Sequence, residues 1–472
     1  MKHRDFSTSV SRRDMLAKSS LGFGSLALAG LLQDAQAAPT SGLAPRCSHR
    51  RPKARAVIQL FQNGGPSQMD MFDPKPELTK RAGEPFPDEW ERTSSKSNRN
   101  VLMASSFQFR PHGQSGMEFS DAIPHLSTIV DELCLIRSMY TEHNNHPFGI
   151  NMFQTGKVLA GRPAMGSWIC YALGTENQNL PGYIVLRDAE GYNTSGKLVW
   201  SSGWLPAVYQ GTEFGSSGSP VPNMNPTRAL PVKARQRQIK LLNEMNQAHR
   251  LGHPQESELE ARIENFELAA RMQLAANDIL DISDETNETR QLYGLDNPIS
   301  AEYGKRCLLA RRLVEAGVRF VQVHPPPFQP WDHHADLAKR MREICGVVDQ
   351  ASKALILDLL RRGMLDEVLV IWAGEFGRLP ITQGEAGRDH NRHAFSIFMA
   401  GGGFQGGHVH GATDDFGYAS VVDRVSCADL HATILHQLGI DHSRLSYHHG
   451  GRDERLTDPE VSGARVLHEL LV

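Results

Sequence analysis

The chain has 472 residues, of which 40% are hydrophobic and 22% are charged, and its formal net charge is -3. This length allows one large α/β domain with insertions or two domains, and the composition is typical of a folded globular protein. The small net charge provides no electrostatic basis for binding nucleic acid or an anionic membrane, so neither is expected as a partner.

The N-terminus has the pattern of an export signal. Arg12 and Arg13 form a twin-arginine pair, an apolar run follows at 21–32, and small residues provide a cleavage site at the end of segment 1–37. The apolar run is too short to cross a bilayer, so no stable membrane span is expected. We predict export by the twin-arginine translocase to the periplasm or beyond. The alternative is a chance arginine pair before an uncleaved anchor.

A short basic linker at 38–55 precedes a predicted domain at 56–472, in which strand-like apolar runs alternate with helical patterns. Continuous apolar runs are typical of strands covered on both faces. The alternation predicts the α/β class, with helices on both faces of a mostly parallel central sheet. The predicted strands lie at 56–62, 134–140, 183–187, 318–324, 367–373 and 396–400, and the predicted helices at 165–173, 304–316, 347–363 and 427–438.

The region from about 228 to 292 differs from the rest of the chain. It is charged, has no strand signal and shows long helical patterns at 234–251 and 256–282. It predicts a helical insertion that shapes substrate access or makes an oligomer contact, with a solvated helical hairpin as the alternative.

The six cysteines have no CxxC or regular spacing, and most lie in apolar segments. This pattern predicts buried free thiols, with a disulfide as the alternative in an exported protein.

Imidazole and carboxylate groups follow the late apolar runs. Asp332 and His334 come after the run at 318–324, and positions two apart in an extended segment point the same way, so both could reach one ion. Glu375 follows the run at 367–373, where a carboxylate suits a metal ligand or a base. The alternatives are a polar surface loop for the first pair, and a helix cap or a salt bridge to Arg378 for Glu375.

A third cluster, Asp389 with His390, precedes the last predicted strand. A loop could turn both side chains inward, or one could support the other as a partner behind the ligand. Three such clusters follow successive strands, and His with Asp or Glu is typical ligand chemistry for a metal ion. The clusters together therefore predict one metal site at the sheet edge.

The N-terminal half contributes further candidates. Asn63 or Asp70 could complete the metal site, and Ser67 could act as a nucleophile, although each residue taken singly is better explained as a turn residue. His146, after the second predicted strand, is a candidate ligand.

The other histidines are predicted to be structural or exposed. His408 and His410 are predicted in a flexible surface loop, and His431 in a packed helix. His448 and His449 are predicted to be exposed.

Several segments together resemble the domain-of-unknown-function family numbered 1501. They are FQNGGPSQMDMFDPKP at 61–76, RPAMGSW at 162–168, WDHH at 331–334, GEFGR at 374–378, GRDHN at 387–391 and DLHATIL at 429–435. The resemblance covers nearly all of the chain after the signal segment. It implies the alkaline phosphatase and sulfatase superfamily, an alkaline phosphatase-like three-layer sandwich, and two metals at the C-terminal ends of the parallel strands.

The resemblance also implies roles for individual residues. Asp332 and His334 resemble the pair that binds the first metal, and His390, or less closely His393, resembles a later histidine ligand.

The chain departs from the superfamily pattern at two places. Glu375 stands where the superfamily has the Asp of an Asp-His-Gly turn, and Phe376 replaces the histidine, so one expected ligand is missing. The segment 144–156 resembles the nucleophile segment but has no Cys-x-Pro-x-Arg, which argues against formylglycine chemistry. Thr141 is the nearest hydroxyl.

These observations predict an exported metal-dependent hydrolase that acts on a sulfate or phosphate ester of a small molecule or polysaccharide. One or two divalent ions (Zn, Mn, Fe or Ca) are expected, and Asp70 or Glu375 is expected to act as the base. The predicted ligands are Asp332, His334, Glu375, Asp389, His390 and His146. The alternatives are a non-catalytic binding or scaffold protein on the same fold, and an amidase or peptidase that uses the same metal cluster.

Overall fold

The computed structural model describes residues 42–87, 90, 101–215, 231–252, 263, 267–268, 271–272, 278–384 and 386–472. The predicted signal segment lies outside these residues, as does most of the predicted helix at 256–282. The pattern at 234–251 forms a helix at Val232–Gly252. The domain boundaries, including the insertion, stay predictions.

A central sheet of nine strands organises the described part of the chain. In chain order the strands are β1 (Ala56–Phe61), β2 (Leu133–Tyr140), β3 (Tyr183–Arg187), β4 (Thr212–Gly215), β5 (Phe320–Val323), β6 (Val368–Ala373), β7 (Phe395–Ala400), β8 (His408–His410) and β9 (Val425–Ser426). Their spatial order is β8, β2, β7, β6, β1, β5, β3, β4, and β9 also pairs with β2.

Only β7 runs antiparallel to its neighbours, β2 and β6; the other pairs are parallel. The carboxyl ends of the parallel strands therefore meet at one edge, together with the start of β7. The loops at this edge carry all of the predicted metal ligands.

The α-helices are α1 (Gln68–Met71), α2 (Pro76–Lys80), α3 (His146–Thr155), α4 (Met165–Leu173), α5 (Val232–Gly252), α6 (Asn287–Leu292), α7 (Ala301–Glu315), α8 (Leu337–Arg361), α9 (Cys427–Gln437) and α10 (Pro459–Ser462). Four short antiparallel pairs of strands lie outside the central sheet: Phe109–His112 with Met117–Ser120, Gly377–Arg378 with His390–Asn391, Ala412–Thr413 with Ser420–Val422, and Tyr447–His449 with Arg452–Glu454.

Helices cover both faces of the sheet. The ring of Phe61 packs against Phe153 of α3, with ring centroids 5.6 Å apart, whereas the next side chain, Gln62, donates to the Tyr303 hydroxyl of α7 at 3.0 Å. Successive side chains of an extended chain point to opposite faces, so α3 and α7 lie on opposite sides. The predicted α/β class with a mostly parallel central sheet is therefore confirmed, and the continuous burial of β1 and β6 has the predicted cause.

All six predicted strands are present, with ends shifted by no more than two residues, and the four predicted helices are present as α4, α7, α8 and α9. The loop prediction for His408 and His410 is wrong, because they form the edge strand β8. Only Val409 between them is apolar, so the segment lacks the run that marked the other strands. Its strand conformation comes from pairing with β2.

Five cysteines are buried, Cys47 is exposed, and all six are free thiols, as predicted. Among the described residues, no helix combines the length and apolar character needed to cross a bilayer.

Three histidines are buried where the neutral imidazole is favoured. Burial lowers the pKa of His324, at the end of β5, to about 3, and lowers the pKa values of His333 and His431 to about 4. His431 lies in α9, as predicted for a packed helix histidine, and donates from Nε2 to the Phe153 carbonyl at 2.8 Å. In the unfolded chain each imidazole regains an ordinary pKa near 6.5.

These shifts predict acid lability. Between pH 6.5 and about 4 the unfolded chain binds more protons than the folded chain, so stability falls as pH falls, by up to about 1.4 kcal/mol per pH unit for each group. In urea unfolding at pH 7 and pH 5, His431→Gln should lose less stability than the parent. His448→Gln, which changes an exposed side chain, should lose as much unfolding free energy between the two pH values as the parent protein does. Equal losses in all three proteins would contradict the assignment of a neutral buried His431.

Candidate metal centre

The loops at the carboxyl edge bring residues that are far apart in sequence into one cluster. Asp332 and His334 lie between β5 and α8, and His146 is the first residue of α3, after β2. His390 lies in a short strand that pairs with Gly377–Arg378. These side chains meet above the middle of the sheet.

Three imidazoles and a guanidinium surround one carboxylate oxygen. Asp332 Oδ1 lies 2.8 Å from His334 Nε2, 3.0 Å from His390 Nε2 and 3.3 Å from His146 Nε2. Arg378 Nη2 lies 2.7 Å from the same oxygen. Burial favours the neutral acid, but these contacts outweigh it and hold the pKa of Asp332 well below its usual range.

The far side of each ring faces an acceptor. His146 Nδ1 lies 2.7 Å from Glu375 Oε1, and His390 Nδ1 lies 2.7 Å from the Asn144 carbonyl. His334 Nδ1 contacts Gln383 Oε1. In the neutral imidazole, Nδ1 therefore carries the proton, and Nε2 presents a lone pair.

Three Nε2 lone pairs and a carboxylate oxygen consequently converge on one point. Such an arrangement requires positive charge between the groups, either protons on the rings or a cation among them. The need for positive charge is clearest at His146. Burial opposes protonation of its ring, yet its contacts with Asp332 and Glu375 raise the pKa of His146 to about 9. Its Nε2 is buried without a hydrogen-bond partner, because the 3.3 Å approach to Asp332 lacks hydrogen-bond geometry. The three ring nitrogens and the Asp332 carboxylate oxygen form a set of ligand atoms that fits a metal ion.

Two overlapping sets of side chains could each hold an ion. One is His146, Asp332 and His390, and the other is His334, Asp389 and His390; within each set the ligand atoms lie within 4.8 Å of one another. Five of the six predicted ligands therefore converge.

Glu375, the sixth predicted ligand, belongs to neither set. Its side chain is fully buried and accepts hydrogen bonds from the backbone N–H of Gly64 at 2.9 and 3.1 Å, in addition to its contact with His146. A carboxylate behind a histidine ligand fixes the tautomer and the orientation of the ring. The structure thus places Glu375 behind a ligand, where it orients His146, rather than as a ligand or base.

Gly64 allows this contact. Its φ is +116°, and a Cβ there would lie 2.7 Å from the Trp331 backbone nitrogen, so only glycine fits between Glu375 and the loop that carries Asp332.

Sequence reasoning underestimated two residues of the GEFGR segment. Arg378 is buried and pairs with Asp332, not with Glu375 as the alternative prediction had it. The ring of Phe376 lies 4.9 Å from the ring of His146 and 4.8 Å from that of His390, between centroids. Because the rings of His146 and His390 are themselves 4.4 Å apart, Phe376 does not separate them but packs against both as an apolar neighbour, at the position where the family resemblance implies a further ligand.

The candidates that follow β1 are not brought into the cluster. Asp70 is fully buried in an ion pair with Arg388, whose Nε lies 2.7 Å from Oδ2, and it also accepts from the Ser67 hydroxyl. Its carboxylate is therefore occupied and unavailable as the expected base. Asn63 donates to the Phe328 carbonyl, and His393 packs against Tyr418 at 5.1 Å between ring centroids.

Residues 54–471 match the family described as "Protein of unknown function (DUF1501)". None of the curated proteins is a significant sequence match.

The chain is similar to three solved hydrolase structures. A sulfatase, PsFucS1, from Pseudoalteromonas sp. is 12% identical over 83% of this chain and 68% of that chain, with a TM-score of 0.36. A phosphonate monoester hydrolase, SpPMH, from Silicibacter pomeroyi is 13% identical over 74% and 71%, with a TM-score of 0.31. The alkaline phosphatase from the Antarctic bacterium TAB5 is 10% identical over 74% and 92%, with a TM-score of 0.31. At these TM-scores the likeness carries no weight on chemistry.

The contact between Glu375 and His146 predicts a metal-affinity effect. Glu375→Gln should weaken Zn²⁺ binding about 10- to 100-fold, because a neutral amide orients and polarises the imidazole less than a carboxylate does. Competition against a chromogenic chelator measures this affinity. The matched control, Glu367→Gln, changes a 62% exposed side chain before the other end of β6 and should bind as the parent does. Unchanged affinity in a folded Glu375→Gln protein would refute the orienting role.

Proposed function

Because the chain belongs to the DUF1501 family of proteins of unknown function, and because three imidazoles converge on one carboxylate in it, we propose that it is a metal-dependent hydrolase of sulfate or phosphate esters. The convergence of the three Nε2 lone pairs on Asp332 Oδ1 is the observation that supports this proposal most. An alkaline phosphatase or sulfatase type of site, with one or two ions, is the part of the proposal that derives from the family resemblance.

The donor set narrows the choice of metal. Three imidazoles and carboxylates suit Zn, Mn or Fe, whereas Ca prefers a shell of oxygen ligands. Either His146, Asp332 and His390 or His334, Asp389 and His390 would hold an ion, because the single Nε2 lone pair of His390 can bind one ion at a time. A divalent ion at such a site supplies Lewis acidity, which polarises an ester oxygen and lowers the pKa of water.

The protein's own residues set the environment for this chemistry. Arg378 keeps Asp332 ionised, and Glu375 holds His146 in one tautomer. Phe376 is fully buried and places an apolar ring against His146 and His390. His334 is the most exposed of the three histidines, at 38% of its side chain, so the substrate would approach from its side.

The nucleophile is proposed to be water. Among the described residues, none of the hydrogen bonds or ion pairs of Asp332, His146, His334 and His390 involves a hydroxyl or thiol side chain. The same observation favours a second candidate, a non-catalytic binding or scaffold protein that retains a metal.

We also propose that the protein acts outside the cytoplasm, after export by the twin-arginine pathway. The pattern around Arg12 and Arg13 supports this, and export of folded protein would allow the metal to be inserted beforehand. The substrate would be a small-molecule or polysaccharide ester.

The decisive experiment measures metal content and turnover of the purified protein. A panel of aryl sulfates, aryl phosphates and sulfated polysaccharides should reveal hydrolysis that a chelator abolishes and added metal restores. Asp332→Asn combined with His334→Gln should lower kcat/KM at least about 100-fold, because ligands matter more than the partners behind them. His448→Gln combined with His449→Gln, at exposed positions, should leave turnover unchanged.

The outcomes separate the candidates. Bound metal without turnover on any ester would support the scaffold protein, and a folded protein that binds no metal would overturn both.

A further inference from the structure

A second pair of histidines lies on β8, at the edge of the sheet. β8 pairs in parallel with β2, and His408 and His410 are aligned with Cys134 and Ile136. Residues two apart on a strand point to the same face, and the two imidazole centroids are 6.2 Å apart. Two ring nitrogens can therefore approach one ion from adjacent positions.

Both imidazoles have an unsatisfied nitrogen. Nε2 of His408 and Nε2 of His410 are buried and have no hydrogen-bond partner in the described part of the chain. His410 itself is only 5% exposed. A buried polar atom normally finds a partner, so these two neighbouring nitrogens on one face are available to bind a ligand.

Negative charge lies next to this pair. Glu469 and Asp423 are acidic residues on two segments that hydrogen-bond to the chain around β8 and to its partner strand β2. Glu469 belongs to the C-terminal segment. This segment is hydrogen-bonded to the residues just before β8, since the Gln405 N–H donates to the Leu470 carbonyl at 2.9 Å. Glu469 is exposed, so its side chain is free to turn toward an ion.

We propose that His408 and His410 bind a divalent transition-metal ion of the imidazole-preferring class, such as Zn²⁺, Ni²⁺ or Cu²⁺, with Glu469 and water as further ligands. This site is distinct from the Asp332 cluster, because His408 and His410 are paired with Cys134 and Ile136 in the first half of β2, whereas the cluster lies beyond the carboxyl end of that strand. The bound ion would join the edge strand to the C-terminal segment and stabilise an edge that is otherwise prone to fraying.

The test uses the full chain, stripped of metal and titrated with Zn²⁺. The background carries Asp332→Asn and His334→Gln, which disable the first cluster. In this background Zn²⁺ should raise the thermal unfolding midpoint of the protein. Equilibrium dialysis should show that the protein with His408→Gln and His410→Gln added binds one equivalent of Zn²⁺ fewer than the background protein. The result does not depend on turnover, so it is independent of the proposed hydrolase activity.

The chain offers a matched control. His448 and His449 also lie on a strand, but as neighbours they point to opposite faces and cannot share an ion. Replacing both with Gln should leave Zn²⁺ stoichiometry and the midpoint shift unchanged. If the double variant at β8 does not fold, His408→Gln alone, at a half-buried position, should weaken the edge site at least about tenfold. Equal Zn²⁺ binding with and without the β8 histidines would overturn the proposal.

Discussion

The buried ion pair between Arg378 and Asp332 is the constraint on which the site depends. The Arg378 guanidinium donates to the carbonyls of Gly64, Gly65 and Trp331, and to the Asp332 carboxylate. It thereby ties the loops that follow β1, β5 and β6 to one another. Burying a guanidinium is costly unless its donors are used, so these loops must keep their positions for the fold to tolerate the charge. The geometry around Asp332 is therefore preorganised.

The same chemical rule operates at two places in the molecule. At the Asp332 cluster, an acceptor on one side of an imidazole holds the proton on Nδ1 and leaves Nε2 as a lone pair, and on β8 the buried Nε2 atoms of His408 and His410 have no hydrogen-bond partner. Where such lone pairs meet a carboxylate, as at Asp332, positive charge is needed, either as protons on the rings or as a cation. At His408 and His410 the cost is buried nitrogen without a partner. Both proposals rest on imidazole nitrogens that have no hydrogen-bond donor opposite them, and separate experiments test the two proposals.

The departures from the superfamily pattern have physical explanations. Phe376 stands where the family resemblance implies a histidine ligand, and its ring packs against both His146 and His390, which also contact each other. Glu375 stands where an Asp ligand is expected, and its longer side chain reaches behind His146. A motif comparison assigns both positions to metal ligands. In the structure Phe376 is an apolar neighbour of two imidazoles, and Glu375 is a hydrogen-bond partner of His146.

The sequence by itself determined the α/β class, the positions of six strands and the side chains able to bind metal, because apolar runs, helical spacing and residue chemistry are local properties. The tertiary structure decided which of these side chains share an ion. Asp70 and Glu375 carry the same carboxylate as Asp332, yet one pairs with Arg388 and the other backs His146. The edge strand with His408 and His410 exists only through its pairing with β2. Contacts between loops that are hundreds of residues apart depend on strand order and on the directions of side chains, which local sequence patterns do not contain.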